Sequence, residues 1–552
     1  MEQELYRYHS KKVLIVDDQR AFQVMLKAML ANLGCTAVYF ADNAEAAVKL
    51  CREVPFDLLL VDYNLGTGRN GRQLLEYLKR NNLVSVESIF IIVTGDNSRS
   101  MVLTALELEP DDYLMKPFSG HQLDTRIQRC FRKKSELIDI FTALRDQKYD
   151  QVAALCRRKL KEDTRYKNYC RNLMAEMLIR TERYDSAQVL LEKIVEQREF
   201  TWACITLGKV YFLQGEHDKA ITTLEKVIKS NSLLIDAYEW LGRAYEGKGN
   251  AEKALSIVTR AAELAYHSVE RHRLLARLAT DAHEYEMAKD SFGAILQLSR
   301  NSFYPAIEHL ANYIRSILEA AKHTDDIHRR NRILQDVHSA LFKGRHEEGR
   351  QEDFDFDMYE SICHARVHEA KGEMLKAKRT LLHAIEPILE QHDDASTPIL
   401  AESMLALVGI GEYEYAELMA DTLSKRDVVD EVTSKTLTAV TQGEMKEALT
   451  TFNDLNKAGK QAYEHEDYET ARGYFDRALK KAPMNSGAAI NKLQATIKLL
   501  LLDNKQARKY TDECEACIGS LEGMPLSASH RERFLSLKDD FHQAVAKTSK
   551  RK

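Results

Sequence analysis

Proline is scarce in this 552-residue chain, with eight copies, and glycine is limited to 23. Few residues therefore interrupt helices, and beyond residue 132 Ala, Leu, Glu, Lys and Arg dominate, which argues for nearly continuous helix. No apolar run reaches the length of about eighteen residues that a membrane-spanning helix needs. The N-terminus lacks the apolar core of a signal peptide, so a cytoplasmic location is expected, in which the nine scattered cysteines stay reduced. Glycine-rich phosphate loops, nucleophile elbows and serine triads are also missing, so no enzymatic output is expected. The remainder is an ordinary globular composition, 44% apolar and 30% charged with net charge −5, in a chain too long for one domain.

What is present is a set of polar residues where short apolar runs end. Asp17 and Asp18 close Val13-Leu14-Ile15-Val16, Asp62 closes Leu58-Leu59-Leu60-Val61, Thr94 follows Ile91-Ile92-Val93, and Lys116 follows Tyr113-Leu114-Met115. Continuously apolar runs are the mark of buried parallel strands. Helical patterns at 20–33, 43–54, 71–82, 98–108 and 119–132 lie between and after them. The first 132 residues thus predict an α/β doubly wound parallel sheet, in which functional groups gather at the carboxyl ends of the strands. Three carboxylates brought together need a cation between them, and Mg²⁺ suits an all-oxygen set that leaves room for a phosphoryl group. Asp62 would then be the nucleophile, with Lys116 and the Thr94 hydroxyl neutralising the phosphoryl oxygens.

These residues, together with Thr94-Gly95 and Asp112-Tyr113-Leu114-Met115-Lys116-Pro117-Phe118, resemble the receiver domain of bacterial two-component response regulators over about residues 10–132. The resemblance implies a flavodoxin-like fold with Asp62 as phosphoacceptor. It makes Asp17, Asp18, Asp62 and the Asn64 backbone carbonyl the Mg²⁺ ligands, Thr94 and Tyr113 the switch pair, and Lys116 the phosphoryl-binding lysine before a cis-proline. Two features depart from the family. Gly66 stands where a proline is usual, and Gly71 lies nine rather than eight residues after the acceptor, so the loop is one residue longer. Glu109-Pro110 replaces the usual Gly-Ala pair.

A repeat organises the rest. Leu207, Leu241 and Leu275 are 34 residues apart, as are Gly208, Gly242 and Ala276, and Ala220, Ala254 and Ala288. Each unit pairs a small residue in one helix with another in the next, as close antiparallel packing requires. The pattern resembles the tetratricopeptide repeat (TPR), most completely at Gly459, Ala471, Phe475, Ala478 and Pro483, and recurs as Ala175 with Ala187, Ala365 with Ala377 and Met404 with Ala416. An all-α solenoid in two blocks follows, 133–345 and 346–546, with irregular helices over 300–350, a charged loop at 343–357 and a basic tail at 547–552.

By the repeat's usual geometry Lys209, Arg243 and Arg277 point into the groove, with Arg273 one turn earlier. Such cations invite an acidic helix or a terminal carboxylate, and Trp202 and Phe212 could anchor an apolar side chain. His364 and His368 lack a third metal ligand, and Cys514 with Cys517 is an isolated CxxC. Direct DNA binding is not expected, given the net charge and a solenoid where a helix-turn-helix would stand.

The sequence therefore predicts a response regulator of a phosphorelay that takes a phosphoryl group from a sensor histidine kinase or phosphotransfer protein. Its repeats would bind another protein, with the receiver docking, undocking or dimerising on phosphorylation. The alternatives are a phosphate sink, or a constitutive scaffold carrying an idle receiver.

Overall fold

The computed structural model describes residues 8–66, 68–95, 110–162, 164–300, 307–347, 354–426, 430–502 and 506–549. The chain falls into two compact units, Met1–Pro305 and Ala306–Lys552.

The first unit opens with five strands, β1 (Lys12–Val16), β2 (Ala37–Ala41), β3 (Leu58–Asp62), β4 (Ile89–Thr94) and β5 (Asp112–Met115), all parallel in the order β2-β1-β3-β4-β5. Successive side chains of a strand face opposite sides of a sheet, and both sides are covered here. Leu14, Val16, Leu59, Val61, Phe90 and Ile92 pack on α2 (Ala44–Glu53) and α3 (Gly71–Arg80). Val13, Ile15, Leu58, Leu60, Ile89 and Ile91 pack on α1 (Arg20–Asn32) and on the helix Gly120–Glu136. Side-chain caps fix where the helices begin: Asn43 accepts from the Ala46 N–H, and Asn70 with Gln73 and Ser119 with Gln122 form capping boxes. The helix expected at 98–108 lies outside the described residues. The Gly120–Glu136 helix runs past the expected end at 132, because Lys134 pairs with Asp111 and Glu136 with Thr164.

Among the described residues, ten further helices follow in this unit, from Ile138–Arg145 to Tyr285–Ser299. The small residues sit where helices touch: Ala175, Ala187, Ala220 and Ala254 are fully buried. A β-carbon on Gly208 would lie 2.6 Å from Leu224 Cγ, and one on Gly242 2.4 Å from Val258 Cγ2. Glycine is required there by the neighbour, not by its own dihedral angles.

The second unit is helical among its described residues, from Ile307–Lys322 to Ala528–Ser549. Two expectations change. The break falls between Pro305 and Ala306, not near 345, and residues 343–347 complete the Ile327–Glu347 helix instead of starting a loop. Leu341 is buried on that helix, and Gly344 lets Leu310 approach within 2.4 Å of where a β-carbon would be, so packing overrides the charged local sequence. Lys547 is likewise helical, carried by the buried Phe541 and Ala544, while 550–552 lie outside the described residues. Ala365, Ala377, Met404, Ala416 and Ala471 are buried as the repeat spacing requires. The unit also buries charge: Glu402 pairs with Arg315 (2.8 Å) and Arg366, and Lys378 with Glu412 (2.6 Å).

Overpacking the Gly242 contact is expected to be costly. Gly242→Val should lower stability by about 1–3 kcal/mol, whereas Gly473→Ala, at a helix position with nothing within 4 Å, should raise it by up to about 1 kcal/mol. Urea unfolding midpoints of the two variants against the parent check both signs.

Candidate functional site

The chain order reverses at β1, which has β2 on one side and β3 on the other. A doubly wound sheet presents its ligand crevice at that switch, beyond the carboxyl ends of the strands. Register brings the strand ends level, with Val16 beside Val61, Asp62 beside Val93, and Thr94 beside Met115. Asp17, Asp18, Asp62, Thr94 and Lys116 consequently share one crevice.

Asp17 is 1% exposed and Asp62 7%, whereas Asp18 faces solvent. Their ligand oxygens all lie within 4.8 Å of one another, and among the described residues no other three acidic, histidine or cysteine groups could share an ion. Lys116 Nζ donates to Asp17 Oδ2 at 2.8 Å and to Asp62 Oδ2 at 3.0 Å. Asp17 Oδ1 also accepts from the Gln19 N–H, and Gln23 Nε2 holds the Asp17 carbonyl at 2.7 Å. Burial pushes the Asp62 carboxyl above its usual range, the Lys116 ammonium and the Asn64 N–H pull it back in part, and Asp17 adds to the rise. Two buried carboxylates share one ammonium, and a third carboxylate stands at the rim. That donor set fits a hard divalent cation, which Asp17, Asp18 and Asp62 would hold, with Asn64 exposed beside them.

The remaining positions complete the site. Thr94 is buried at the end of β4, and its carbonyl accepts from the Lys116 N–H at 2.8 Å. Tyr113 is half-buried on β5, behind Asp112, which Arg126 and Arg129 hold at 3.1 and 3.0 Å. The Lys116-Pro117 peptide is cis. Gly66 adopts φ +81°, which proline cannot reach, and this accounts for the departure there. Gly71, despite its extra residue of spacing, lies on the strand end: a β-carbon would be 2.3 Å from the Asp62 carbonyl oxygen. One neighbour of the site was not singled out in the sequence. Phe22 places its ring centroid 3.7 Å from Lys116 Nζ, and its only sequence signal is its position one helical turn after Asp18.

The groove residues are placed differently from a row of open cations. Lys209 pairs with Glu176 at 3.3 Å, Arg277 with Glu246 at 2.9 Å and Arg273 with Glu270, so the inner helices neutralise most of their own charge. Arg243 and Lys209 both lie over the ring of Trp240, at 5.5 and 5.3 Å, and Phe212 packs on the same ring, while Trp202 stacks on Phe200. Trp240 is the centre of that cluster, and the sequence reading missed it because its position is not part of the small-residue pattern. The His364 ring lies 4.9 Å from that of His338, tilted by 31°, and His368 pairs with Glu373. Burial raises both the Cys514 and Cys517 thiols, Cys514 to about 12.

Fold and crevice together define a receiver domain joined to a helical repeat scaffold. The response regulator receiver domain family matches residues 13–128, and two tetratricopeptide repeat families match 208–249 and 235–267. A probable chemotaxis protein CheY of Rhizobium etli is 32% identical over 120 residues, covering 22% of this chain and 92% of the relative. The chemotaxis protein CheY of Pseudomonas aeruginosa is 28% identical over 122 residues, covering 22% and 97%. A CheY-like receiver structure from Methanospirillum hungatei is 28% identical over 23% of this chain and 97% of that one, with TM-score 0.21. The chain belongs to the response regulator receiver family and carries TPR repeats in its C-terminal region. None of the described helices is long and apolar enough to cross a membrane.

Mg²⁺ at a hundredfold excess over its Kd is expected to stabilise the receiver by about 2.7 kcal/mol, and Asp17→Asn should abolish the effect in thermal unfolding. The raised Asp62 pKa means the folded state binds a proton more readily than the unfolded one. Metal-free stability should therefore fall as pH climbs from the ordinary carboxylate range through the raised value. Asp62→Asn should remove that slope, giving a gain at neutral pH that vanishes in acid.

Proposed function

We propose that Asp62 accepts a phosphoryl group from a sensor histidine kinase or phosphotransfer protein, and that the modification governs which protein the repeats hold. The observation that carries this reading is Lys116 spanning Asp17 and Asp62 at 2.8 and 3.0 Å inside a crevice of three carboxylates. An Asp62 oxygen forms a bond to phosphorus as the bond to the donor's imidazole nitrogen breaks, and the departing imidazole takes up a proton. The Lys116 ammonium balances one phosphoryl oxygen and the Thr94 hydroxyl donates to another. Asp17, Asp18 and Asp62 would hold Mg²⁺, which would supply further neutralisation of the phosphoryl charge. Tyr113 on β5 would follow Thr94 as the second member of a switch pair.

Three contacts within the first unit support a route from the crevice to the repeats. Gly71 lies against the Asp62 carbonyl, and two residues on the Gln73 amide serves two partners: its oxygen accepts from the Asn70 N–H at 3.0 Å, and its nitrogen donates to the Arg300 carbonyl at 3.1 Å, at the end of the Tyr285–Ser299 helix. On the other side, Lys133 lies 4.0 Å over the Tyr169 ring and Glu136 bonds Thr164, joining the last receiver helix to the first repeat hairpin. The paired glutamates narrow what the groove selects. The Arg243–Trp240–Lys209 cluster favours a segment that combines an apolar or aromatic side chain with a carboxylate.

Acetyl phosphate with Mg²⁺ should add one phosphoryl group to the full chain, seen by intact mass, and none to Asp62→Ala. A partner recovered on wild-type protein should bind the phosphorylated form and Asp62→Ala with different affinities; equal affinities would point to the constitutive scaffold. Trp240→Ala and Arg243→Glu should each weaken that binding about tenfold or more, consistent with loss of a central aromatic or cationic anchor.

A further inference from the structure

We infer that Phe22 is a positioning residue for Lys116, holding the ammonium against the two carboxylates through the face of its ring. The inference rests on the phosphoacceptor reading above. A lysine ammonium is a strongly hydrated point charge on a flexible four-carbon stem, so its place in a crevice is set by what surrounds it. Three groups surround this one: Asp17 Oδ2 at 2.8 Å, Asp62 Oδ2 at 3.0 Å, and the Phe22 ring with its centroid at 3.7 Å. The Lys116 side chain is only 17% exposed, so the ring stands where water would otherwise solvate the ammonium.

The ring is itself held. Phe22 stands on the first turn of α1, and Phe118 meets it edge-on, with centroids 6.0 Å apart and planes at 84°. Phe118 is two residues beyond Lys116, so β5's exit loop supplies both the cation and the buttress for its aromatic partner. An aromatic face attracts a cation through its quadrupole, and an aliphatic side chain of similar size does not. Leucine at position 22 would keep the apolar wall and lose the attraction. The ammonium would then sample rotamers that leave the incoming phosphoryl oxygen unbalanced.

The experiment compares full-length wild type, Phe22→Leu and Phe22→Tyr, each checked for native circular dichroism. With acetyl phosphate and saturating Mg²⁺, the phosphorylation rate constant of Phe22→Leu should fall about three- to tenfold, while Phe22→Tyr stays within about twofold of wild type. Magnesium affinity is measured for all three proteins by calorimetric titration, and the rate constants are compared at saturating Mg²⁺, so that any change in metal binding caused by the freed ammonium does not enter the rate. The ε-methylene protons of Lys116 should show an upfield ring-current shift in NMR spectra of wild type and Phe22→Tyr, and lose it in Phe22→Leu. An unshifted Lys116 in wild type, or a Phe22→Leu rate within twofold of wild type, overturns the inference. Failure of wild type to accept any phosphoryl group overturns the phosphoacceptor reading instead, and the NMR shift still reports separately on the ring contact.

Discussion

The receiver is organised by an ammonium held between two carboxylates. Lys116 reaches Asp17 and Asp62 from the far side of the strand ends, and those two side chains are 2% and 8% exposed. Charges this poorly hydrated are tolerable only when they are paired, and the pairing stays incomplete, since three carboxylates meet one cation. Burial, with a smaller contribution from Asp17, raises Asp62 above its ordinary range, and the excess of carboxylates suits the crevice to a divalent ion. The sheet order, the level strand ends and the glycine laid on the Asp62 carbonyl serve to hold this arrangement in place.

The receiver and its crevice were legible because each signal was local. Four of the five strands carry short apolar runs, and the site residues stand at the ends of those runs, so a linear reading gathers Asp17, Asp18, Asp62, Thr94 and Lys116 without knowledge of distances. Phe22 escaped that logic. It sits in an amphipathic helix, where an aromatic residue ordinarily means core, and only the three-dimensional approach of Lys116 distinguishes it. The repeats were legible through small residues at a fixed period, since a β-carbon at Gly208 or Gly242 would collide with the next helix.

What stayed hidden were interactions between distant charges. The sequence suggests a row of groove cations, but it cannot show that Glu176 and Glu246, each about one repeat upstream, meet Lys209 and Arg277. Nor can it reveal that Arg315, Lys378 and Glu402 are core residues, because charged side chains at helical spacing read as solvated faces until packing encloses them. The charged stretch before residue 347 misled for the same reason. Its helix is decided by Leu341 and Gly344 against neighbouring chain, a contact that local propensity does not encode.

The helix Gly120–Glu136 has its own consequence for how such a protein can diverge. It begins in the receiver and ends clasped to Thr164 and Tyr169, with no flexible segment between. In an α-helix each added residue turns the following chain by about 100° and advances it by about 1.5 Å. A one-residue insertion there would swing the repeat helices of the first unit around the receiver, like a key cut one tooth out of phase. Surface turns between repeats can drift in length over evolutionary time, but this shaft tolerates change only in whole turns.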